Sequence, residues 1–204
     1  MRHLQPAAEK RWAQSDPVMA RLSRAHPIDP VSQLAPKDGF AALVESITHQ
    51  QVSMAAARTI HARLVKTLGG KVTPRRVLNR TPEQLRAAGL SRSKAASILD
   101  LADKTQRGEV EFDRFPTMPD EAIIAELVAV KGIGTWTAKM FLLFHLGRPD
   151  VFAPEDLGLR LAVADTYAVP PEKAATVMAR QQAAWSPYNS VAARVLWQSR
   201  RNPA

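Results

Sequence analysis

Apolar residues recur along most of this chain at the spacing of amphipathic helices. Within residues 40–47, Phe, Leu, Val and Ile occupy positions i, i+3, i+4 and i+7, so a helix would bury them on one face. Apolar residues three or four positions apart also occur in five further segments, at residues 60–68, 95–102, 123–130, 138–145 and 191–196. Alternation typical of strands is limited to residues 71–73 and 109–112. The pattern therefore predicts an all-α fold.

Helix ends are marked by residues that favour starting or stopping a helix. Thr81-Pro82-Glu83-Gln84 has the capping-box pattern, Ser91 can cap the helix that follows, and Pro187 is expected to open the last helix. Residues 85–98 and 127–141 both have the pattern of a helix, a turn with glycine and a second helix, so they form a weak internal repeat, or internal echo. Proline-rich stretches that mark candidate lobe boundaries lie at residues 27–36, 116–119 and 149–154.

Charge and cysteine content narrow the classes of function. The 204 residues carry 28 Lys and Arg against 19 Asp and Glu, a net charge of +9 that favours a polyanionic partner, nucleic acid above all, or an anionic membrane surface. The chain has no cysteine, which excludes disulfides, thiolate zinc sites and cysteine-ligated iron–sulfur clusters. Its five histidines lack zinc-like spacing, so no side-chain metal site is expected. With no signal-like or membrane-spanning segment, we expect a soluble, cytoplasmic protein.

A glycine hairpin is the first candidate functional motif. Gly132 and Gly134 separate two helical patterns, and both are expected to allow positive φ and close backbone approach. The N–H groups at the start of the second helix would suit a DNA phosphate, with Ile133 as the buried plug. The residues expected to contact DNA here are Lys131, Gly132, Ile133, Gly134, Thr135 and Lys139. The alternative is a plain helical hairpin whose glycines only cap a helix.

An aspartate after a proline is the second candidate. Asp156 follows Pro154 and stands 22 residues after Gly134, about one helix and a loop later. A carboxylate near bound DNA would stabilise the sugar cation that develops when an N-glycosidic bond is hydrolysed. The alternative is that Asp156 caps the helix that starts near Leu157, and the two roles are compatible.

The run from Leu127 to Met140, with Gly-Ile-Gly-Thr-Trp-Thr-Ala at its centre, resembles the helix-hairpin-helix of the DNA glycosylases whose motif ends in Gly/Pro…Asp. The chain most resembles the 3-methyladenine DNA glycosylase II family, although Lys131 stands where that family usually has proline. The resemblance covers about residues 16–197. It implies a compact form without an N-terminal sheet domain, and two helical lobes with a DNA-binding cleft between them. One lobe would be residues 37–147 and the other residues 1–36 with 148–204.

The resemblance also assigns roles to individual residues. Asp156 matches the catalytic aspartate, and Trp136 occupies the position where strand-cleaving members carry a lysine nucleophile, which implies a monofunctional enzyme. A cationic alkylated base suits an aromatic pocket, for which Trp136, Tyr188, Trp185 and Trp12 are candidates. Tyr188 occupies the position at which the family carries a tryptophan that stacks on the base, and Met140 occupies the position of a tyrosine in the family's pocket. For Trp12 and Trp197 a place in the core is the simpler interpretation.

The polar segment Gln50-Gln51-Val52-Ser53 resembles the family's Gln-x-x-Ser, which lines the DNA-facing loop. Gln51 falls at the side chain that fills the gap left by a flipped base, and Gln50 and Ser53 are also expected to contact DNA. Without the resemblance, a solvated turn between helices is an equal alternative. His49 is given no role.

The resemblance implies a monofunctional glycosylase that flips alkylated bases out of duplex DNA and hydrolyses the N-glycosidic bond in base excision repair. Two alternatives stay open: a helix-hairpin-helix protein that binds DNA without chemistry, and a bifunctional glycosylase that also cleaves the strand. No cofactor is expected beyond a structural Na⁺ or K⁺ at the hairpin carbonyls, as in relatives. The implied partner is double-stranded DNA with alkylated bases, bound by a monomer associated with the bacterial nucleoid.

Overall fold

The computed structural model describes residues 1–28 and 38–202, so most of the proline-rich stretch 27–36 lies outside the described residues. The regular elements of the described residues are all helical, which confirms the all-α prediction. The α-helices are α1 (Gln5–Ser15), α2 (Pro17–Ala25), α3 (Gly39–His49), α4 (Met54–Thr67), α5 (Pro74–Leu78), α6 (Pro82–Ala87), α7 (Arg92–Gln106), α8 (Asp120–Val128), α9 (Thr135–Met140), α10 (Leu157–Thr166), α11 (Ala174–Trp185) and α12 (Asn189–Arg201).

The described chain divides into two compact units, residues 38–141 and residues 1–28 with 142–202. The lobes predicted from the sequence, 37–147 against the remainder, stay a prediction. Among the described residues, no helix is both long enough and apolar enough to cross a lipid bilayer.

The unit of residues 38–141 is built around α3 and α7. Helix α3 packs on α4 and α7, and α7 also packs on α5 and α6. The apolar side chains within residues 40–47 are buried on α3, as their spacing predicts. Thr81 and Gln84 form the predicted capping box at α6, and the Ser91 hydroxyl accepts the Lys94 N–H at 3.2 Å as the cap of α7.

Two of the glycine turns of this unit, at Gly89 and Gly132, are similar. Gly89 has φ +106° and Gly132 has φ +79°. The residue after each glycine is buried, Leu90 with 4% and Ile133 with 3% of its surface exposed. The internal echo of the sequence is therefore a repeated helix–turn–helix, in which an aliphatic side chain plugs each turn.

In the unit formed by residues 1–28 and 142–202, α12 packs on α2 and α10, while α11 packs on α1 and α10. The Asp16 carboxylate caps α2 through the Met19 N–H at 3.1 Å and accepts the Trp185 indole N–H at 2.9 Å. It also accepts the Tyr167 hydroxyl. Asp16 thus ties α2 to the ends of α10 and α11.

Two helix boundaries differ from the sequence prediction. The predicted helix through residues 138–145 is α-helical only to Met140 and continues as a π-helical turn, Phe141–His145. The last helix starts at Asn189 rather than at Pro187. The Asp150 carboxylate accepts the Asn189 backbone N–H at 3.1 Å and so caps α12 from a distant part of the sequence.

Candidate functional site

The glycine hairpin is fixed to α7 at two neighbouring points. The Lys131 N–H donates to the Asp100 carboxylate at 2.7 Å. A Cβ atom at Gly132 would lie 2.2 Å from the Ser97 hydroxyl oxygen, so only glycine fits there at its positive φ. Ile133 is buried as the predicted plug. The turn is therefore anchored by side chains one helical turn apart on α7.

Gly134 does not have the conformation predicted for it. Its φ is −97°, which other residues adopt, and no described atom lies within 4 Å of the position of a Cβ. It is the N-cap of α9, and it leaves the start of that helix open beside exposed Thr135 and Trp136. Gly132 therefore permits close packing against Ser97 of the protein itself, whereas Gly134 borders open space.

The loop between α3 and α4 touches the hairpin. The Gln50 side-chain amide donates to the Gly132 carbonyl at 3.3 Å, which brings two segments predicted to bind DNA together within one unit. Gln51 is exposed and has φ +53°, a left-handed conformation that is rare for residues other than glycine. The Ser53 hydroxyl caps α4 by accepting the Ala56 N–H at 3.3 Å, so it also serves the fold.

Basic side chains surround the end of α3. The Lys94 ammonium donates to the Thr48 carbonyl at 2.8 Å, and burial lowers the pKa of Lys94 below its ordinary value. The His49 ring lies edge-on to His61 with centroids 6.4 Å apart. Burial lowers the pKa of His61, and the Glu45 carboxylate partly offsets that shift. These contacts fix the position from which the Gln50–Ser53 loop leaves the helix.

Asp156 is the N-cap of α10 and only 8% exposed. Its Oδ1 accepts the Leu159 backbone N–H at 2.7 Å and the Trp197 indole N–H at 3.1 Å. The capping interpretation is confirmed. Two donors on one oxygen hold the carboxylate in one orientation, which a purely solvated side chain would not have.

Trp197 is the residue that sequence reasoning missed. The prediction placed it in the core, but it is partly exposed, and its indole N–H reaches Asp156. Its ring stacks on Phe144 with centroids 5.6 Å apart and an interplanar angle of 21°. A Cβ at Gly158 would lie 3.3 Å from the indole nitrogen, so this glycine lets the tryptophan approach the cap. The sequence feature that could have indicated this role is the indole N–H, because a partly buried indole needs a hydrogen-bond acceptor.

The segment that leads to Asp156 is fastened to the start of α12. Asp150 accepts the Ser186 hydroxyl at 2.7 Å and the Asn189 side-chain amide at 2.6 Å. The Val151 N–H donates to the Ser190 hydroxyl at 2.9 Å. Tyr188, partly exposed, lies between these anchoring residues. Asp156 and Tyr188 therefore belong to one connected framework built on α12.

Burial separates the pocket candidates. Trp12 is fully buried, in agreement with its interpretation as a core residue. Trp185, a pocket candidate, is only 2% exposed with its N–H bonded to Asp16, so it also belongs to the core. Trp136 is 43% exposed on α9, whereas Met140 on the same helix is 8% exposed. Trp136 and Met140 lie in the unit of the hairpin, and Tyr188 lies in the unit of Asp156. Among the described residues, no group of three His, Asp or Glu side chains converges to hold a metal ion.

Comparison with known proteins gives a consistent result. Residues 44–189 match the sequence model of the HhH-GPD superfamily base excision DNA repair protein. The chain is 30% identical over 167 residues to YfjP of Bacillus subtilis (strain 168), by name a DNA-3-methyladenine glycosylase, and the match spans 78% of this chain but 58% of that protein. It is 27% identical to DNA-3-methyladenine glycosylase 1 of Schizosaccharomyces pombe, over 83% of this chain and 76% of that protein.

Solved structures agree. The 3-methyladenine DNA glycosylase Mag1 of Schizosaccharomyces pombe, in complex with abasic DNA, matches with a TM-score of 0.84 and 26% identity over 97% of this chain and 98% of that one. The DNA-3-methyladenine glycosidase of Bacillus halodurans matches with a TM-score of 0.78 and 31% identity over 93% and 86%. The hairpin and Asp156 both lie inside the matched family range, and the chain belongs to the HhH-GPD superfamily of base excision DNA repair proteins.

Proposed function

We propose that this chain is a monofunctional DNA glycosylase that removes alkylated bases of the 3-methyladenine type from duplex DNA and leaves an abasic site. The observation that carries the proposal is the buried Asp156 carboxylate, held on one oxygen by a backbone N–H and an indole N–H, in a chain of this superfamily. The relatives named as 3-methyladenine glycosylases support the substrate class.

The hairpin and the loop beside it are the proposed DNA-binding elements. The open space at Gly134 suits a DNA backbone, with Thr135 at the start of α9 and Lys131 and Lys139 adding positive charge. The exposed Gln51 would fill the space of a flipped nucleotide and could hydrogen-bond the orphaned base. Ile133 would hold the turn rather than touch DNA, because it is buried.

Asp156 is the proposed catalytic residue. As the bond between C1′ and the base nitrogen breaks, its electron pair leaves with the base and positive charge develops on the sugar. The carboxylate stabilises that charge and accepts a proton from the water whose oxygen bonds to C1′. A cationic N-alkylated base leaves as a neutral molecule and needs no separate acid. Trp197 is a positioning residue in this scheme, since its N–H fixes the carboxylate.

Aromatic and polarisable side chains are proposed to select the alkylated base. In the unit of the hairpin, the exposed indole of Trp136 would attract a cationic base through its π face, and Met140 would supply a polarisable contact. In the unit of Asp156, the partly exposed ring of Tyr188 offers a π face of the same kind. The lysine of strand-cleaving enzymes is replaced by Trp136, which favours hydrolysis alone. Borohydride treatment should therefore trap no covalent adduct with DNA.

A monovalent cation would fit the hairpin through its carbonyl oxygens. The carbonyls of Val130 and Gly134 accept the N–H groups of Ile133 and Ala138, and that of Gly132 accepts the Gln50 amide. Each of these oxygens keeps a second lone pair for a cation. Bound there, the ion would supply a fixed positive charge near a DNA phosphate.

The test is a product profile. The purified chain is incubated with methylated duplex DNA, and free bases are separated by chromatography while abasic sites are measured by alkaline cleavage. We expect free 3-methyladenine among the products, and a number of abasic sites equal to the total number of bases released above the protein-free control. Binding to the duplex without base release would instead support the non-catalytic alternative, and a borohydride-trapped adduct would support the strand-cleaving one.

A further inference from the structure

The positive charge of this chain is concentrated in one part of the sequence. Residues 46–99 contain 10 of the 28 Lys and Arg residues but only one of the 19 acidic residues, Glu83. The net charge of this segment equals the +9 of the whole chain, so the remaining residues are neutral in sum. The segment runs from the end of α3, through α4, α5 and α6, into α7.

Three of these ten cations serve the fold. Arg76 donates to the Leu68 and Gly69 carbonyls at the end of α4, both at 2.7 Å. Arg80 donates to the Thr67 carbonyl at 3.0 Å, and Lys94 donates to Thr48. The other seven are exposed, and none of them forms an ion pair with the described residues: Arg58, Arg63, Lys66, Lys71, Arg75, Arg86 and Arg92.

The next segment of the same unit shows the opposite arrangement. Residues 100–126 contain eight acidic residues and three cations, and all three cations form ion pairs there. Arg107, for example, pairs with Asp103 and Glu109. Carboxylates are thus plentiful within this unit, but none of those described forms an ion pair with the seven exposed cations, although Glu83 acts electrostatically on Arg86. An excess of unpaired positive charge attracts a polyanion.

We propose that the seven cations form a second contact surface for duplex DNA, which binds phosphates beyond the nucleotides at the glycine hairpin. The inference rests on the proposed function for the identity of the polyanion. The three cations of α4, Arg58, Arg63 and Lys66, span eight residues, about 12 Å along the helix axis, which matches roughly three to four phosphates along one strand. Helix α4 begins at Met54, after the cap Ser53 and the loop whose Gln50 touches the hairpin, so the surface adjoins the hairpin within one unit.

The test compares charge-matched variants. R58Q/R63Q removes two cations from α4, R86Q/R92Q removes two from α6 and α7, and R107Q/R114Q removes two exposed arginines that are ion-paired in the acidic segment. Circular dichroism checks that each variant is folded. Binding to undamaged duplexes two turns and less than one turn long is measured by fluorescence anisotropy between about 50 and 200 mM salt.

We expect the slope of log K against log salt for the long duplex to fall by about 0.9 for each phosphate that a cation no longer neutralises, as much as about 1.8 in R58Q/R63Q or R86Q/R92Q. R107Q/R114Q should keep the wild-type slope, and the short duplex should show little difference among the proteins. Equal slopes in all four proteins, or an equally reduced slope in R107Q/R114Q, would overturn the proposal. So would weaker binding of R58Q/R63Q to anionic phospholipid vesicles with the DNA slope unchanged. If the wild type releases no base but the four proteins differ in slope as expected, the proposed function is wrong and the second DNA-contact surface is still supported.

Discussion

Two aspartates in the unit of residues 1–28 and 142–202 are held by the same device. Asp16 caps α2 and accepts the N–H of Trp185, and Asp156 caps α10 and accepts the N–H of Trp197. Both carboxylates are buried, with 3% and 8% of their surface exposed. Capping and an indole donor are therefore not what separates a structural aspartate from a candidate catalytic one.

The difference lies in what surrounds each pair. Asp16 spreads three donors over both oxygens, including the Tyr167 hydroxyl, and its tryptophan is buried. Trp197 is partly exposed and stacks on Phe144, of which 41% is exposed. The Asp16 pair closes a core, whereas the Asp156 pair reaches the surface of its unit. The two aspartates therefore form a matched pair for mutation.

The largest expected effect is on catalysis at Asp156. D156N should lower base excision by about 10²–10⁴-fold, because the amide cannot stabilise the sugar cation or accept a proton. E155Q removes the neighbouring exposed carboxylate and is the matched control, with a rate near wild type. Single-turnover excision from methylated duplex DNA measures both. A D156N rate equal to that of E155Q would remove Asp156 from the mechanism.

The second effect is on stability at Asp16. D16A leaves the Trp185 and Tyr167 donors without their acceptor and removes a helix cap, so the free energy of unfolding should fall by about 2–4 kcal/mol. Excision per folded molecule should stay at the wild-type rate. Urea unfolding and single-turnover rates measure the two quantities. A selective loss of excision in stably folded D16A would contradict the structural role.

The third prediction separates the two tryptophans. W197F keeps a ring on Phe144 but removes the donor to Asp156, so excision should fall about 10-fold or more, since hydrogen bonds to charged groups contribute about 1.5–3 kcal/mol. Single-turnover excision from methylated duplex DNA measures this rate. W185F, the same change at Asp16, should lower the free energy of unfolding but leave excision per folded molecule at the wild-type rate, and an equal loss of excision in both variants would contradict the distinction.

The smallest effect concerns Tyr167. Burial, and then the hydrogen bond to Asp16, raise the pKa of its hydroxyl above the ordinary value of 10.0. The native state therefore favours the neutral phenol, and this stability is present below pH 10 and lost as the pH rises further. Y167F should lower stability at pH 7 by about 1 kcal/mol and should weaken the alkaline loss. Urea midpoints on both sides of pH 10 test this, and parallel curves would contradict it.

Local patterns predicted most of the helices and the tight turn of the glycine hairpin. The helical spacing at residues 40–47, the cap at Thr81 and the tight turn at Gly132 depend on neighbours in the sequence, and the structure confirms each. The role of Trp197 could not be read in this way, because 41 residues separate it from Asp156 and only the packing of α12 on α10 brings them together. The positive φ predicted for Gly134 is wrong, because glycine is favoured both where the backbone is packed closely and where it borders open space.

The attachment of residues 150–156 to α12 fixes the length of that stretch. Ser190 and Trp197 are seven residues apart on α12, about 10.5 Å along its axis, and they hold Val151 and Asp156 respectively. Replacing exposed Glu155 changes neither attachment, but inserting a single amino acid between the two would displace the carboxylate from its indole. Between the two attachments, exposed positions such as Glu155 should therefore tolerate substitution, whereas the stretch should reject insertions and deletions.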